Sequence, residues 1–163
     1  MKKLIFLMAA VSFILIGCGD NESDDLESLY EAFSRNHEEL RNDMERELED
    51  IRNSDDRESQ VDIYYNNLVP KFDDFKSVIN NYEFGGTDHL ELQESMLDYI
   101  NTLETLTKRY GEFNLNFYVS NPMDDDSFSE SFEQDLEEIQ MLEDNIDTKF
   151  NSIEEQYERI RDE

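Results

Sequence analysis

At 163 residues the chain has room for one ordinary domain. Its 42 acidic residues against 14 basic ones exclude partnership with phosphate backbones and repel anionic lipid head groups. High charge can signal disorder, but the 11 Phe and 8 Tyr fall at helical spacing and argue for a packed core. With two His and one Cys, the residue types that most metal and nucleophilic sites use are scarce.

The chain opens with the short positive region Met1-Lys2-Lys3, followed by an apolar run from Leu4 to Ile16 broken only by Ser12. That run is too short to span a bilayer, which needs about 20 residues, and it has the proportions of a signal-peptide core. Leu15-Ile16-Gly17-Cys18 then resembles the lipobox of bacterial lipoproteins. The resemblance implies diacylglycerol attached by thioether to Cys18 and cleavage before it, with residues 1–17 as the signal peptide. Two acyl chains give stable anchoring where one is marginal. Lipidation also removes the problem of an unpaired thiol in an oxidising compartment. The mature chain then carries 12 basic and 42 acidic residues, a net charge of −30.

Residues 18–24 read as the lipidated cysteine and a polar tether, and 25–163 as the folded domain. Asp24 with Glu27 has the form of a helix N-terminal capping pair. From there Leu26, Leu29, Tyr30, Phe33, His37, Leu40, Met44, Leu48 and Ile51 recur at steps of three and four, one face of a helix. Asp55 with Glu58 repeats the capping pattern, and Val61, Tyr65, Leu68, Phe72, Phe75, Ile79 and Tyr82 form a second stripe. Gly85-Gly86 ends it, and Thr87 or Asp88 caps a third helix whose stripe runs from His89 through Leu92, Met96, Tyr99, Leu103, Leu106, Tyr110 and Phe113 to Phe117.

Gly111 after Lys108-Arg109 has the look of a helix end, and residues 112–119 alternate in the manner of a strand. An isolated strand would leave its backbone groups unpaired, so the helix is read as continuing to about Tyr118. Residues 120–127 read as a loop. Ser127 with Glu130 caps the last helix, with its stripe at Phe128, Phe132, Leu136, Ile139, Leu142, Ile146, Phe150, Ile153, Tyr157 and Ile160. The expected fold is all-α: an elongated up-down antiparallel bundle of about four long amphipathic helices with coiled-coil-like packing.

Pro70 falls midway along the second helix, where it removes a backbone donor and predicts a kink or a break. Tyr64 and Tyr65, just before it, read as core, with a ligand cleft opened by the kink as the alternative. Asp62-Ile63-Tyr64-Tyr65 resembles the motif of small Gram-positive lipoproteins named for a short EMYY sequence, the two tyrosines coinciding. That resemblance implies a lipid-anchored all-helical body and no particular activity.

Asp124, Asp125 and Asp126 are the candidate set for loose divalent-cation binding, beside the simpler reading of a solvated acidic loop. They do not make an EF-hand, since Phe128 and Ser129 stand where an oxygen ligand and Gly are needed. Neither His37 nor His89 has a Glu three residues before it, as a bundle di-iron site requires, and His37 reads as a satisfied edge or core residue. No G-x-S-x-G or phosphate-cradling glycine loop occurs. The expectation is a non-enzymatic protein without cofactor beyond the lipid on Cys18, held on the extracytoplasmic face of the membrane.

Residues 112–163 carry 17 acidic residues and only Lys149, Arg159 and Arg161, a net charge of −14. Two functions fit: an interaction module docking an envelope protein through a helix face, or an acidic binder or decoy for cationic peptides or divalent cations.

Overall fold

The computed structural model describes residues 22–54, 56–119 and 128–162. The architecture is the all-α bundle that the stripes predict. Helix α1 spans Glu22–Asn53. A second rod runs through α2, Arg57–Asp62, a π-helical segment, Ile63–Leu68, and α3, Val69–Asn80. Helix α4 spans Thr87–Val119 and α5 Phe128–Arg161.

Cross-helix pairs fix the directions. Asp43 meets Lys71 and Glu47 meets Asn67, while Phe33 packs on Phe75 and the Tyr82 hydroxyl donates to the Ser28 carbonyl. Numbers rise along α1 as they fall along the second rod, so the two are antiparallel. Lys76 with Glu104, and Tyr64 with Gly111, give the same sense between the second rod and α4. Ser95 with Gln156, and Arg109 with Glu138, give it between α4 and α5. Tyr30 stacks on Tyr157 at 3.8 Å between ring centroids, closing α1 onto α5.

Two starts differ from expectation. Helix α1 begins at Glu22, so residues 22–24, expected to lie before the helix, belong to it and Asp24 lies inside it. Acidic side chains in a first turn are favoured by the partial positive charge of the unsatisfied backbone N–H groups, which lets Asp24 belong to the helix it was expected to cap. The second rod is capped by Asp56, whose carboxylate accepts from the Ser59 backbone N–H at 3.0 Å and the Ser59 hydroxyl at 2.7 Å; Asp55 lies outside the described residues. Gln93 completes the other end of this rod, its buried amide donating to the Ile79 and Tyr82 carbonyls at 2.7 and 2.9 Å.

The core is uneven along the bundle. Leu26, Leu29, Phe33 and Leu40 of α1 pack with Phe72, Phe75 and Ile79, with Leu92, Met96, Tyr99 and Ile100, and with Ile153. At this end all four rods contribute. Toward the C-terminal end of α1, the contiguous core takes nothing described from α5 before Ile146. Leu106 and Ile139 are buried apart from it. The bundle is therefore closed at the end where α1 begins and loosens toward the other, where Leu48 is 40% exposed and Leu136 42%.

Candidate functional site

The loosened end contains the one irregularity of the helices among the described residues. Proline at 70 has no N–H, and its ring needs the space of the carbonyl four residues back. The chain meets this demand without breaking: Ile63–Leu68 forms a π-helix, and the Val69 N–H reaches back five residues to the Tyr64 carbonyl. The break expected as one outcome at Pro70 is replaced by a wider turn, which holds the rod in right-handed helical conformation across the junction. Such turns recur at functional sites.

The extra residue re-aims the tyrosines. An unbroken 3.6-residue helix would place Tyr65 in register between Val61 and Leu68. With the wider turn, Tyr64 and Leu68 are buried, at 7% and 1% exposure, and Tyr65 stands 37% exposed. Its ring lies edge-on to Tyr64 at 5.1 Å between centroids. The expectation of two core tyrosines thus holds for Tyr64 and fails for Tyr65.

Tyr64 packs directly on the backbone of α4. Its hydroxyl oxygen accepts from the Gly111 N–H at 3.2 Å, and burial pushes its phenol well above the ordinary tyrosine range. A Cβ on Gly111 would stand 2.3 Å from one carbon of the ring and 2.4 Å from another. Glycine at 111 is therefore not a helix end. It removes a side chain so that an aromatic ring can reach the helix backbone, and α4 runs through it to Val119. Residues 112–119 are helical.

A polar cluster faces the π segment from α1. Glu47, buried, accepts from the Asn67 amide at 3.2 Å and from Arg46 at 3.2 Å. One turn earlier Asp43 bridges Lys71 and Arg46, each at 2.6 Å. The Lys71 hydrogen bond, outweighing burial and joined by Arg46, holds the Asp43 carboxyl below the usual range. Here the stripe misled: Leu48 was expected inside, yet Glu47 takes the covered position because Asn67 and Arg46 satisfy its oxygens. That exchange has no signal in apolar spacing alone.

His37 lies at the closed end, stacked on Phe33 and tilted against Phe150, with its Nε2 2.8 Å from the Tyr99 hydroxyl. It is the satisfied histidine that its position on the apolar face predicts. Burial, with Arg41 nearby, lowers the His37 pKa below its usual 6.5, and burial with Asp147 pushes the Tyr99 phenol up to about 12. The sign of the consequence follows. Below pH 6.5 the unfolded chain takes up a proton that the folded chain resists, so this site loses stability as pH falls through the window from 6.5 down to the depressed value. We expect the melting temperature of wild type, relative to His37→Gln, to drop between pH 7.5 and pH 5.5; equal pH slopes for the two proteins would contradict the assignment.

Between α4 and α5 a groove of about 440 Å³ is lined by Glu91, Glu94, Ser95, Asp98, Gln156 and Arg159. Ser95 and Gln156 bond to each other across it at 3.2 Å, and Asp98 is held by Lys149. Among the described residues no group of His, Cys, Asp or Glu is placed to hold a metal ion. The expected lipobox, Leu15, Ile16, Gly17 and Cys18, and the candidate cation ligands Asp124, Asp125 and Asp126 lie outside the described residues. No helix among the described residues is long and apolar enough to cross a membrane.

No protein-family model, curated protein or solved structure matches this chain. What the arrangement offers is a helical surface with one loosened, partly apolar end, in a body that is otherwise strongly acidic.

Proposed function

We propose that this protein is a lipid-anchored, extracytoplasmic interaction module without catalytic activity. The observation that carries the docking role is the loosened end of the bundle: Leu48, Tyr65 and Leu136 stand exposed there on a surface otherwise dominated by carboxylates. Large apolar side chains left uncovered on an acidic body are what a partner would bury. The anchor rests on the sequence Leu15-Ile16-Gly17-Cys18. Between Cys18 and the start of α1 at Glu22 the chain can reach roughly 14 Å at 3.3–3.6 Å per residue. The closed end, where α1 begins, then sits near the bilayer. Leu48 lies about 40 Å further along at 1.5 Å per residue.

Two measurements test this in cells. Replacing Cys18 with Ala should release the protein from the membrane and abolish incorporation of labelled fatty acid; membrane attachment that persists without bound lipid overturns the anchor. Cross-linking of the lipidated protein in intact cells should give one dominant protein neighbour. A diffuse set of basic peptides, lost steadily as salt rises, would establish the acidic-decoy reading instead.

A further inference from the structure

We infer that Thr107 is a polar wedge in the core, which lets the first half of α5 open from α4 and uncover an apolar surface that the closed bundle hides. Thr107 lies one heptad beyond Ile100 and about three turns beyond Met96 on α4, both at 0% exposure, so it holds the next position of the same core face. It is itself 3% exposed. Its hydroxyl oxygen is shut off from solvent and has no hydrogen-bond partner among the described residues. On other helical turns Ser95, Thr102, Thr105 and Thr148 each donate to the carbonyl four residues back, at 2.8 to 2.9 Å. Thr107 forgoes that bond.

The contiguous core stops at this point. From α4 it takes nothing described beyond Leu103, and from α5 nothing described before Ile146. The pairs Asp98–Lys149 and Arg109–Glu138 set a register that puts Leu103 and Ile146 at one level. The α4–α5 hairpin therefore leaves the common core where the hydroxyl enters the α4 face. Beyond that level Leu106 and Ile139 are buried at 8% and 4% exposure, apart from the core. Leu106 lies one turn before Tyr110, which bonds Glu143 of α5, so it faces α5 and is uncovered with Ile139 when α5 moves away. The unpaired hydroxyl weighs against the closed form alone, because in an opened form water bonds it. A buried group left unpaired in this way shifts an equilibrium about five- to 150-fold. A partner that takes Leu106 and Ile139 binds the opened form and draws the population toward it; the opening itself needs no partner.

Thr107→Val keeps the shape and removes the hydroxyl, and amide hydrogen exchange of the full chain reads the result. Exchange should slow by one common factor, at least about fivefold, in residues 132–142 of α5, which exchange through local opening, and in Leu92 to Ile100, which exchange through global unfolding. Thr105→Val, at an exposed position whose hydroxyl is bonded to the Asn101 carbonyl, should slow neither region. Slowing confined to Leu92–Ile100 would mean that local opening never reaches Thr107. Faster exchange in Thr107→Val would mean that the hydroxyl is bonded in the folded protein. Unchanged exchange, or equal slowing in both valine variants, would mean that this hydroxyl carries no penalty of its own. Each of these results overturns the inference.

Discussion

Gly111→Ala should destabilise the protein by about 2–4 kcal/mol, although alanine is the better helix former. In an exposed helix interior this exchange gains up to about 1 kcal/mol. Here the new methyl would lie 2.3 to 2.9 Å from three carbons of the Tyr64 ring, inside any real contact distance. The neighbour is a buried ring seated on the backbone, which cannot swing aside without leaving its site. Evicting a buried aromatic costs about 3–5 kcal/mol by analogy with truncation, and the helix-propensity gain returns only part of it. At 2–4 °C per kcal/mol for a chain of this size, the melting temperature should fall by roughly 4–16 °C.

A double-mutant cycle turns this into a test of mechanism rather than of damage. In a Tyr64→Ala background the methyl meets no ring, so Gly111→Ala should become stabilising by up to about 1 kcal/mol. The same substitution then changes sign with its neighbour. If Gly111→Ala costs the same in both backgrounds, the Tyr64 contact is not why glycine stands there.

How much of this was legible in the sequence depends on which physical quantity each feature records. Steps of three and four record which face of a helix is apolar, and four rods with their antiparallel order followed from those steps and the short connections between them. Periodicity does not record how far a neighbouring helix runs alongside. Leu48 and Leu136 both fall on the apolar stripes and are still exposed, Leu48 where Glu47 takes the covered position beside Asn67 and Leu136 where the contiguous core takes nothing described from α5 before Ile146. Tyr65 failed for a different reason. Pro70 announced a disturbance, but whether a rod breaks, kinks or widens depends on which ring finds a surface, and the surface for Tyr64 is a glycine 47 residues away on another helix. The proline and Gly111 were each visible as oddities; their connection was tertiary. Glu47 shows the same limit, since a carboxylate enters a covered position only where Asn67 and Arg46 arrive to satisfy it.

Phe33→Ala should be the other severe substitution, at about 3–5 kcal/mol, a large share of the 5–15 kcal/mol that holds a typical domain together. Phe33 is 1% exposed and its ring touches Phe75 of α3, Tyr99 of α4 and Phe150 of α5. A cavity there is bounded by four separately anchored helices, so it closes poorly and the cost falls at the upper part of the range. Leu136→Ala, one aliphatic side chain at 42% exposure, should cost about 1 kcal/mol, since only part of its surface is withdrawn from water. Amide hydrogen exchange in wild type should show the same gradient without mutation. Leu92 to Ile100, at the closed end, should exchange only through global unfolding. Residues 132–142 of α5 should exchange through local opening at lower free energy. Phe33→Ala should then speed exchange at the closed end until the two regions approach each other, whereas Leu136→Ala should leave the closed end untouched. Uniform protection along α5 in wild type would mean that the four helices are held together over their whole length. In that case the exposed leucines mark no opening.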